Sequence, residues 1–119
     1  MTTDSLEQLR TRLAQFAADR DWDQFHSPKN LAMALIAEAA ELVEHFQWLT
    51  EEQSRALAPQ VHREVALELA DILIYLIRTA DKVGVDLVAA AAEKIEINEQ
   101  RYPVDKVRGK AKRASEYEG

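Results

Sequence analysis

The sequence of 119 residues contains no cysteine, which excludes both a disulfide framework and a thiolate metal site. Glycine and proline are scarce, with three of each, and they fall between periodic segments or near the C-terminal end. The longest apolar run, DILIYLI at residues 71–77, is far too short to span a bilayer. We therefore expect one small domain with no membrane partner, in a reducing compartment such as the cytoplasm.

Positive charge is the minority sign, with 15 lysine and arginine residues against 21 aspartate and glutamate residues. The formal net charge is −6 and the pI is about 5.1. Because nucleic acids attract basic surfaces, this balance argues against a nucleic-acid partner. The opening stretch MTTDSLEQLR is polar and lacks the apolar segment of a secretory signal, so we expect a cytoplasmic location.

Helical periodicity is the pattern that is present. In SLEQLRTRLAQF, residues 5–16, apolar side chains recur at steps of three or four, and Ser5 with Gln8 resembles a capping box. No segment shows the alternation of a strand. Further helices are expected over residues 31–49, in a short piece between Thr50 and Pro59, over 61–83 with a stop at Gly84, and over 86–101 before Pro103.

The fold class predicted from these segments is all-α. The middle helices are apolar around most of their circumference, and such helices usually lie between neighbours. We expect a four-helix bundle that is completed by homo-oligomerisation. The domain is expected to cover residues 1–103. Residues 104–119 are expected to form a basic, flexible tail with five cationic residues, Lys106, Arg108, Lys110, Lys112 and Arg113.

Two pairs of acidic residues interrupt otherwise apolar helical segments. In LAMALIAEAAELV, residues 31–43, only Glu38 and Glu41 are polar, and a spacing of three places them on one helix face. The segment EVALELADILIYL, residues 64–76, repeats the spacing with Glu68 and Asp71. Ionised carboxylates in an apolar setting are costly unless a counter-charge lies close by.

A hard divalent cation would supply that charge, because Mg²⁺ takes oxygen ligands and also binds phosphates. The pattern predicts a Mg²⁺ site, with Mn²⁺ as a substitute ion, formed by Glu38, Glu41, Glu68 and Asp71. Di-iron bundles use Glu-x-x-His pairs instead, and neither acidic pair here is followed by histidine in that register. Redox chemistry on iron or manganese is therefore disfavoured.

A solvated acidic face is the alternative explanation. Glu64, Arg78 and Lys82 extend the polar edge of the second pair, so that pair by itself fits either explanation. The first pair is flanked by Leu35 and Leu42, which makes a solvated face a weaker explanation there. Two matching pairs together favour the metal.

Other residues are suited to bind a nucleotide. Trp22 and His26 lie in a predicted loop, and Trp48 is placed at the end of the first carboxylate helix. The tryptophans would stack on a base if they lay near the acidic site, although from the residues alone anchoring in a core or interface is favoured. His26 fits either a phosphate donor or a hydrogen bond within the loop.

Lys94 and Asn98 lie four residues apart on the last predicted long helix, a spacing that suits contact with phosphate oxygens. Glu93 and Glu96 lie nearby. From spacing alone, a solvated helix face explains the pair better.

The ordered strings RDWDQFHSPKNL, EAAELVEHFQW, ELADILIYL and NEQRYPV resemble the MazG-like nucleoside triphosphate pyrophosphohydrolases. That family is all-α, with an E-x-x-E, spacer, E-x-x-D signature. Here the signature reads EAAE at residues 38–41 and ELAD at residues 68–71. The resemblance extends from Leu6 to the region of Gly109 and is greatest to the dCTP pyrophosphatase branch.

The resemblance implies Mg²⁺-dependent hydrolysis of a nucleoside triphosphate, in this branch dCTP or a modified dCTP, to the monophosphate and pyrophosphate. It also implies a dimeric core, a tetramer in this branch, and sites built across subunits. The implied metal ligands are the four carboxylates named above. The implied nucleotide-site residues are Trp22, His26, Asn30, Trp48, Tyr75, Lys94 and Asn98, with Lys94 and Asn98 toward the phosphates.

The family has a histidine in the first helix where this chain has Leu13, near the base pocket. A pyrophosphohydrolase of dUTP or of broad specificity is therefore an open alternative. The expected catalytic residues are Glu38 and Glu41, with Glu41 as the hypothesised acceptor of a proton from water that attacks the α-phosphorus. The expected cellular use is removal of unwanted deoxynucleotides. A non-enzymatic helical module that binds a basic partner is the alternative from another class.

Overall fold

The computed structural model describes residues 5–111 and 114–117, and every regular element in them is helical. This confirms the prediction of an all-α fold. Short 3₁₀ turns occupy Asp23–Phe25 and Ala114–Tyr117. The α-helices of the described residues are α1 Leu6–Asp19, α2 Pro28–Glu44, α3 Glu51–Ser54, α4 Pro59–Val83, α5 Leu87–Arg101 and α6 Val104–Val107.

Capping side chains begin two helices, and a glycine ends a third, where the sequence predicts. The Ser5 hydroxyl accepts from the Gln8 N–H at 3.2 Å, and the Gln8 side chain accepts from the Ser5 N–H at 2.7 Å. Thr50 and Gln53 form the same reciprocal cap before α3. Gly84 ends α4 with a φ of 72°, in the left-handed region that glycine adopts without steric cost.

Helix α2 begins and ends earlier than predicted. The Ser27 hydroxyl accepts from the Asn30 N–H at 3.1 Å, and Pro28 occupies the first helical position, where its missing N–H is not needed. The helix ends at Glu44, and residues 45–48 form a turn. The prediction that Trp48 ends this helix is therefore wrong, because Trp48 lies in the turn after it.

Helices α1 and α2 each pack on α4, and the contact of α2 with α4 is the most extensive. The buried apolar side chains of the described residues come from these three helices; they are Ala17, Leu31, Val65, Ile77 and Ala80. The pairing of α2 with α4 places the helices of the two acidic pairs side by side.

The chain divides into two compact units, the first ending at Val85 and the second beginning at Asp86. The first contains α1 to α4, and the second contains α5, α6 and the last 3₁₀ turn. The expected boundary after residue 103 stays a prediction, as does the flexibility of residues 104–119. Of the basic residues expected in that tail, Lys112 and Arg113 lie outside the described residues.

Charged side chains interrupt even the longest helix, α4, which has 25 residues. In the part of the chain that the structure describes, no helix combines the length and the apolar character needed to cross a membrane. The cytoplasmic location stays a prediction.

Candidate functional site

The acidic pairs lie on the two helices that pack most closely. Glu38 and Glu41 belong to α2, and Glu68 and Asp71 belong to α4. Each of Glu38, Glu41 and Glu68 offers one carboxylate oxygen, and these three atoms lie within 4.8 Å of one another. The structure thus brings together side chains that are 30 residues apart in the sequence, as the facing-helix hypothesis requires.

Glu38, Glu41 and Glu68 form a carboxylate cluster. Partial burial and repulsion between neighbouring carboxylates raise the pKa of two of its members. Burial, followed by the neighbouring carboxyl groups of Glu68 and Glu41, raises the pKa of Glu38 to about 7. The pKa of Glu68 is also raised, first by burial and then by nearby acids that include Asp71. Asp71 is therefore close enough to act on the cluster electrostatically, while its role as a metal ligand stays a prediction.

The donor set of the cluster fits a hard divalent cation. All of its atoms are carboxylate oxygens, the ligands that Mg²⁺ prefers. Among the described residues, Oε2 of Glu38 and Oε2 of Glu68 are buried and have no hydrogen-bond partner. A buried oxygen without a partner is costly, and a cation between the helices would provide one. The burial of these two atoms argues against a fully solvated acidic face.

Trp22 is held at the end of α1 by a backbone turn. Its N–H donates to the Ala17 carbonyl at 2.9 Å, while Asp21 adopts a left-handed φ of 53°. The indole meets the Phe16 ring edge-on, with centroids 5.7 Å apart, and remains 47% exposed. This half-exposed position is open to a base or a partner chain, and its role in the nucleotide site stays a prediction.

Trp48 is the most exposed large apolar side chain of the described residues, at 86%. The alternative that it anchors the core of this chain is therefore wrong. An interface or a bound base remains as the reason for a tryptophan at this position.

Three further predicted nucleotide residues lie in the first unit. His26 follows the 3₁₀ turn and is partly buried, and the Asn30 amide donates to the Phe25 carbonyl at 3.1 Å. Tyr75 lies on α4 one turn after Asp71 and is partly buried. Their contacts with a nucleotide stay predictions.

The last two predicted residues lie on α5, in the second unit. Lys94 is exposed, Asn98 is partly buried, and the Asn98 carbonyl accepts from the Tyr102 N–H at 2.8 Å. Their predicted place near the phosphates is untested. Leu13 is partly buried on α1, as expected for a member of that helix's apolar stripe.

Arg78 is a second residue, after Trp48, that the sequence analysis placed wrongly. It was expected on a polar edge of α4, yet it is 3% exposed and is the one charged residue buried in the described chain. Its guanidinium donates to Asp23 Oδ1 at 2.9 Å and approaches His26 Nδ1 at 3.2 Å. Its neighbours Ile77 and Ala80 on α4 are buried as well.

Comparisons with known proteins agree with this geometry. The sequence pattern of the MazG-like family matches residues 34–116, which include both acidic pairs. The chain belongs to the MazG-like family. The match confirms the resemblance on which the site residues were predicted.

Curated relatives are similar to this chain in sequence, and a solved structure is similar to it in fold. The MazG-like chain is 47% identical over 109 residues to dCTP pyrophosphatase 1 of Mus musculus, covering 90% of this chain and 64% of the relative. It is 41% identical over 114 residues to dCTP pyrophosphatase 1 of Homo sapiens, covering 94% and 67%. The chain thus spans just under two thirds of the mouse protein's length. The crystal structure of a pyrophosphatase from Archaeoglobus fulgidus is 36% identical with a TM-score of 0.79, covering 87% of this chain and 96% of that one.

Proposed function

We propose that this MazG-like protein is a divalent-metal-dependent pyrophosphohydrolase that converts a nucleoside triphosphate to its monophosphate and pyrophosphate. The observation that supports this most strongly is the carboxylate cluster between α2 and α4, with two buried oxygens that lack partners. The resident ion is Mg²⁺, for which Mn²⁺ can substitute. The relatives named as pyrophosphatases support the reaction class.

Glu38 and Glu68 would hold the ion, because their unpaired oxygens are buried, and Glu41 and Asp71 would complete the set. A bound Mg²⁺ supplies positive charge for the phosphates and lowers the pKa of water. Glu41 is the exposed member of the cluster, and in this proposal it would accept a proton from the attacking water. Water would add to the α-phosphorus, the bond to the bridging oxygen would break, and pyrophosphate would leave; a role for Lys94 as the counter-charge of pyrophosphate stays a prediction from the family resemblance.

The proposed substrate is dCTP or a modified dCTP. The support is the identity of 41–47% to proteins named dCTP pyrophosphatase 1. Trp22 and Trp48 would stack on the base, and both indoles are exposed enough to do so. Leu13 favours a second candidate, a dUTP or broad-specificity enzyme, because its apolar side chain offers no hydrogen bond to a base.

The proposed assembly is a homodimer that pairs into a tetramer. Met33, Ile36, Ala40 and Val43 form an apolar stripe on one side of α2, and all four are exposed in the single chain. Ile36 is 68% exposed. Helix α2 already packs on α4 through its other face. The exposed apolar stripe is therefore suited to burial against a second copy of the chain. Sedimentation velocity should give a mass near two or four times the 13.5 kDa chain, and Ile36→Lys should reduce it.

The test of the function is pyrophosphate release from a panel of triphosphates, including dCTP, 5-methyl-dCTP, dUTP and ATP. We expect release with MgCl₂ and none with EDTA, with dCTP among the preferred substrates. Glu38→Gln and Glu68→Gln should lose activity. Glu44 is exposed on α2, the helix of Glu38, and Glu44→Gln should keep the activity. Parental rates in both cluster variants would refute the proposal. A cytoplasmic location and a role in nucleotide-pool sanitation stay predictions.

A further inference from the structure

The turn between α1 and α2 is attached to α4 by a buried cation. Arg78 donates through Nη2 to Asp23 Oδ1 at 2.9 Å and through Nη1 to Asp81 Oδ2 at 3.4 Å. Lys82 Nζ also contacts Asp23 Oδ1, at 2.6 Å. From the other side, Asn30 donates to the Phe25 carbonyl. The segment that contains Trp22 and His26 is thus fixed at both of its ends.

The same guanidinium determines where His26 has its ring proton. Arg78 Nη2 and Nε lie 3.2 and 3.4 Å from His26 Nδ1. A guanidinium stays protonated and has only N–H donors, so Nδ1 must be the acceptor. A neutral imidazole that accepts at Nδ1 has its proton on Nε2. In the described part of the chain, Nε2 has no hydrogen-bond partner, so it is free to donate.

The groups around His26 keep the ring neutral. Burial is the largest effect that lowers its pKa, and the Arg78 and Lys82 charges lower it further against the opposing effect of Asp23. A neutral donor suits an uncharged oxygen of a base or a phosphate oxygen that is already neutralised by a cation.

We infer that Arg78 is a positioning residue for nucleotide binding. Its buried guanidinium fixes the turn Trp22–His26 on α4 and holds His26 as a neutral Nε2–H donor for an oxygen of the nucleotide. The location of that oxygen rests on the proposed function, whereas the state of the ring does not. Arg78 acts through His26 and the turn, and it does not contact the carboxylate cluster in the structure.

The first measurement needs no nucleotide. In ¹⁵N-labelled protein, long-range ¹H–¹⁵N spectra of the three histidines, assigned with His26→Asn, should show His26 as the Nε2–H tautomer at pH 7. Arg78→Met should mix the tautomers and raise the His26 pKa. Arg10→Met is the matched control, because Arg10 also pairs with Asp81, at 3.2 Å, but touches neither Asp23 nor His26. A parental ring with its proton on Nδ1 would overturn the inference, even if Arg78→Met failed to fold.

The second measurement is steady-state hydrolysis of dCTP with MgCl₂. Arg78→Met should raise KM about tenfold with kcat within about threefold, since the lost contact is a hydrogen bond and the cluster is intact. Arg10→Met should stay within about twofold in KM by the same reasoning. Unchanged KM in Arg78→Met refutes the inference.

His26→Asn separates the two roles of the ring. The Asn amide oxygen replaces Nδ1 as acceptor for Arg78, while the donor at the Nε2 position is lost. Tm should stay close to the parental value and KM should rise about tenfold; parental KM would overturn the inference. If the parental protein hydrolyses no triphosphate, the proposed function fails, and the histidine spectra still decide the effect of Arg78 on His26.

Discussion

Neutralising Glu38 should stabilise the metal-free protein and abolish its response to Mg²⁺. In the absence of metal, Glu38 is ionised above pH 7 beside Glu41 and Glu68, with one oxygen buried and unpaired. Glu38→Gln removes the charge at nearly constant volume. A residue kept for function and not for stability is expected to behave in this way, because its removal relieves repulsion in the fold.

The size of the effect follows from the pKa. A rise from 4.5 to about 7 corresponds to about 3 kcal/mol at full strength. The cluster is open to water at the exposed Glu41, and screening reduces the expected gain to about 1 kcal/mol. For a domain of this size, that gain raises Tm by about 4 °C.

Thermal melting at pH 8 in EDTA, followed by circular dichroism, measures this gain. In MgCl₂ at a hundred times Kd, the parent should gain about 2.7 kcal/mol, and Glu38→Gln should gain little. Glu44→Gln controls for the loss of one negative charge on α2, and its Mg²⁺ response should be parental. The reasoning fails if Glu38→Gln melts lower than the parent in EDTA, or if it keeps the full response to Mg²⁺.

Three other predictions test separate parts of the structure. The metal-free protein should lose stability as pH rises from 4.5 to 7, because the folded state keeps a proton on Glu38 that the unfolded chain releases. Urea unfolding across this pH range measures the loss. The stabilisation by Mg²⁺ should increase over the same range. Gly84→Ala should cost about 1 kcal/mol through its φ of 72°, although nothing lies within 4 Å of the added Cβ, and a lower urea midpoint would show it. Ser27→Ala should cost about 1 kcal/mol by removing the cap of α2; an unchanged Tm would show that the cap contributes nothing.

The parts of the fold that depend on local chemistry could be predicted from the sequence. The Ser5 and Thr50 capping boxes and the Gly84 stop require only neighbouring residues, and each was found where the sequence places it. The acidic spacing of three likewise fixes which side chains share a helix face. The convergence of Glu38 with Glu68 was predictable as well, because burial of α2 and α4 requires their apolar sides to meet.

The end of α2 could not be predicted in the same way. No glycine or proline lies between residues 44 and 50, and the helical pattern continues through this stretch. At the end of α2 the backbone instead adopts a 3₁₀-type pattern, in which the His45 and Phe46 N–H groups donate to carbonyls three residues earlier. This change moves Trp48 off the helix and leaves it exposed.

The burial of Arg78 depends on partners that lie far away in the sequence. Asp23 and His26 are 55 and 52 residues from it. From α4 alone, an arginine next to the acidic stretch of that helix is expected to be solvated, since buried cations are rare without a partner. The partners belong to a turn whose position is set only when α1 packs on α4.

Helix α2 combines two features that are unfavourable in an isolated chain. Glu38 has a buried, unpaired oxygen, and the opposite side of the helix is the exposed apolar stripe that includes Ile36. A bound cation would provide a partner for the buried Glu38 oxygen. A second copy of the chain would cover the apolar stripe. Because the two lie on different faces, their effects should add. The gain in Tm from Mg²⁺ should therefore be equal in the parent and in Ile36→Lys. A smaller gain in the dissociated variant would show that assembly completes the metal site.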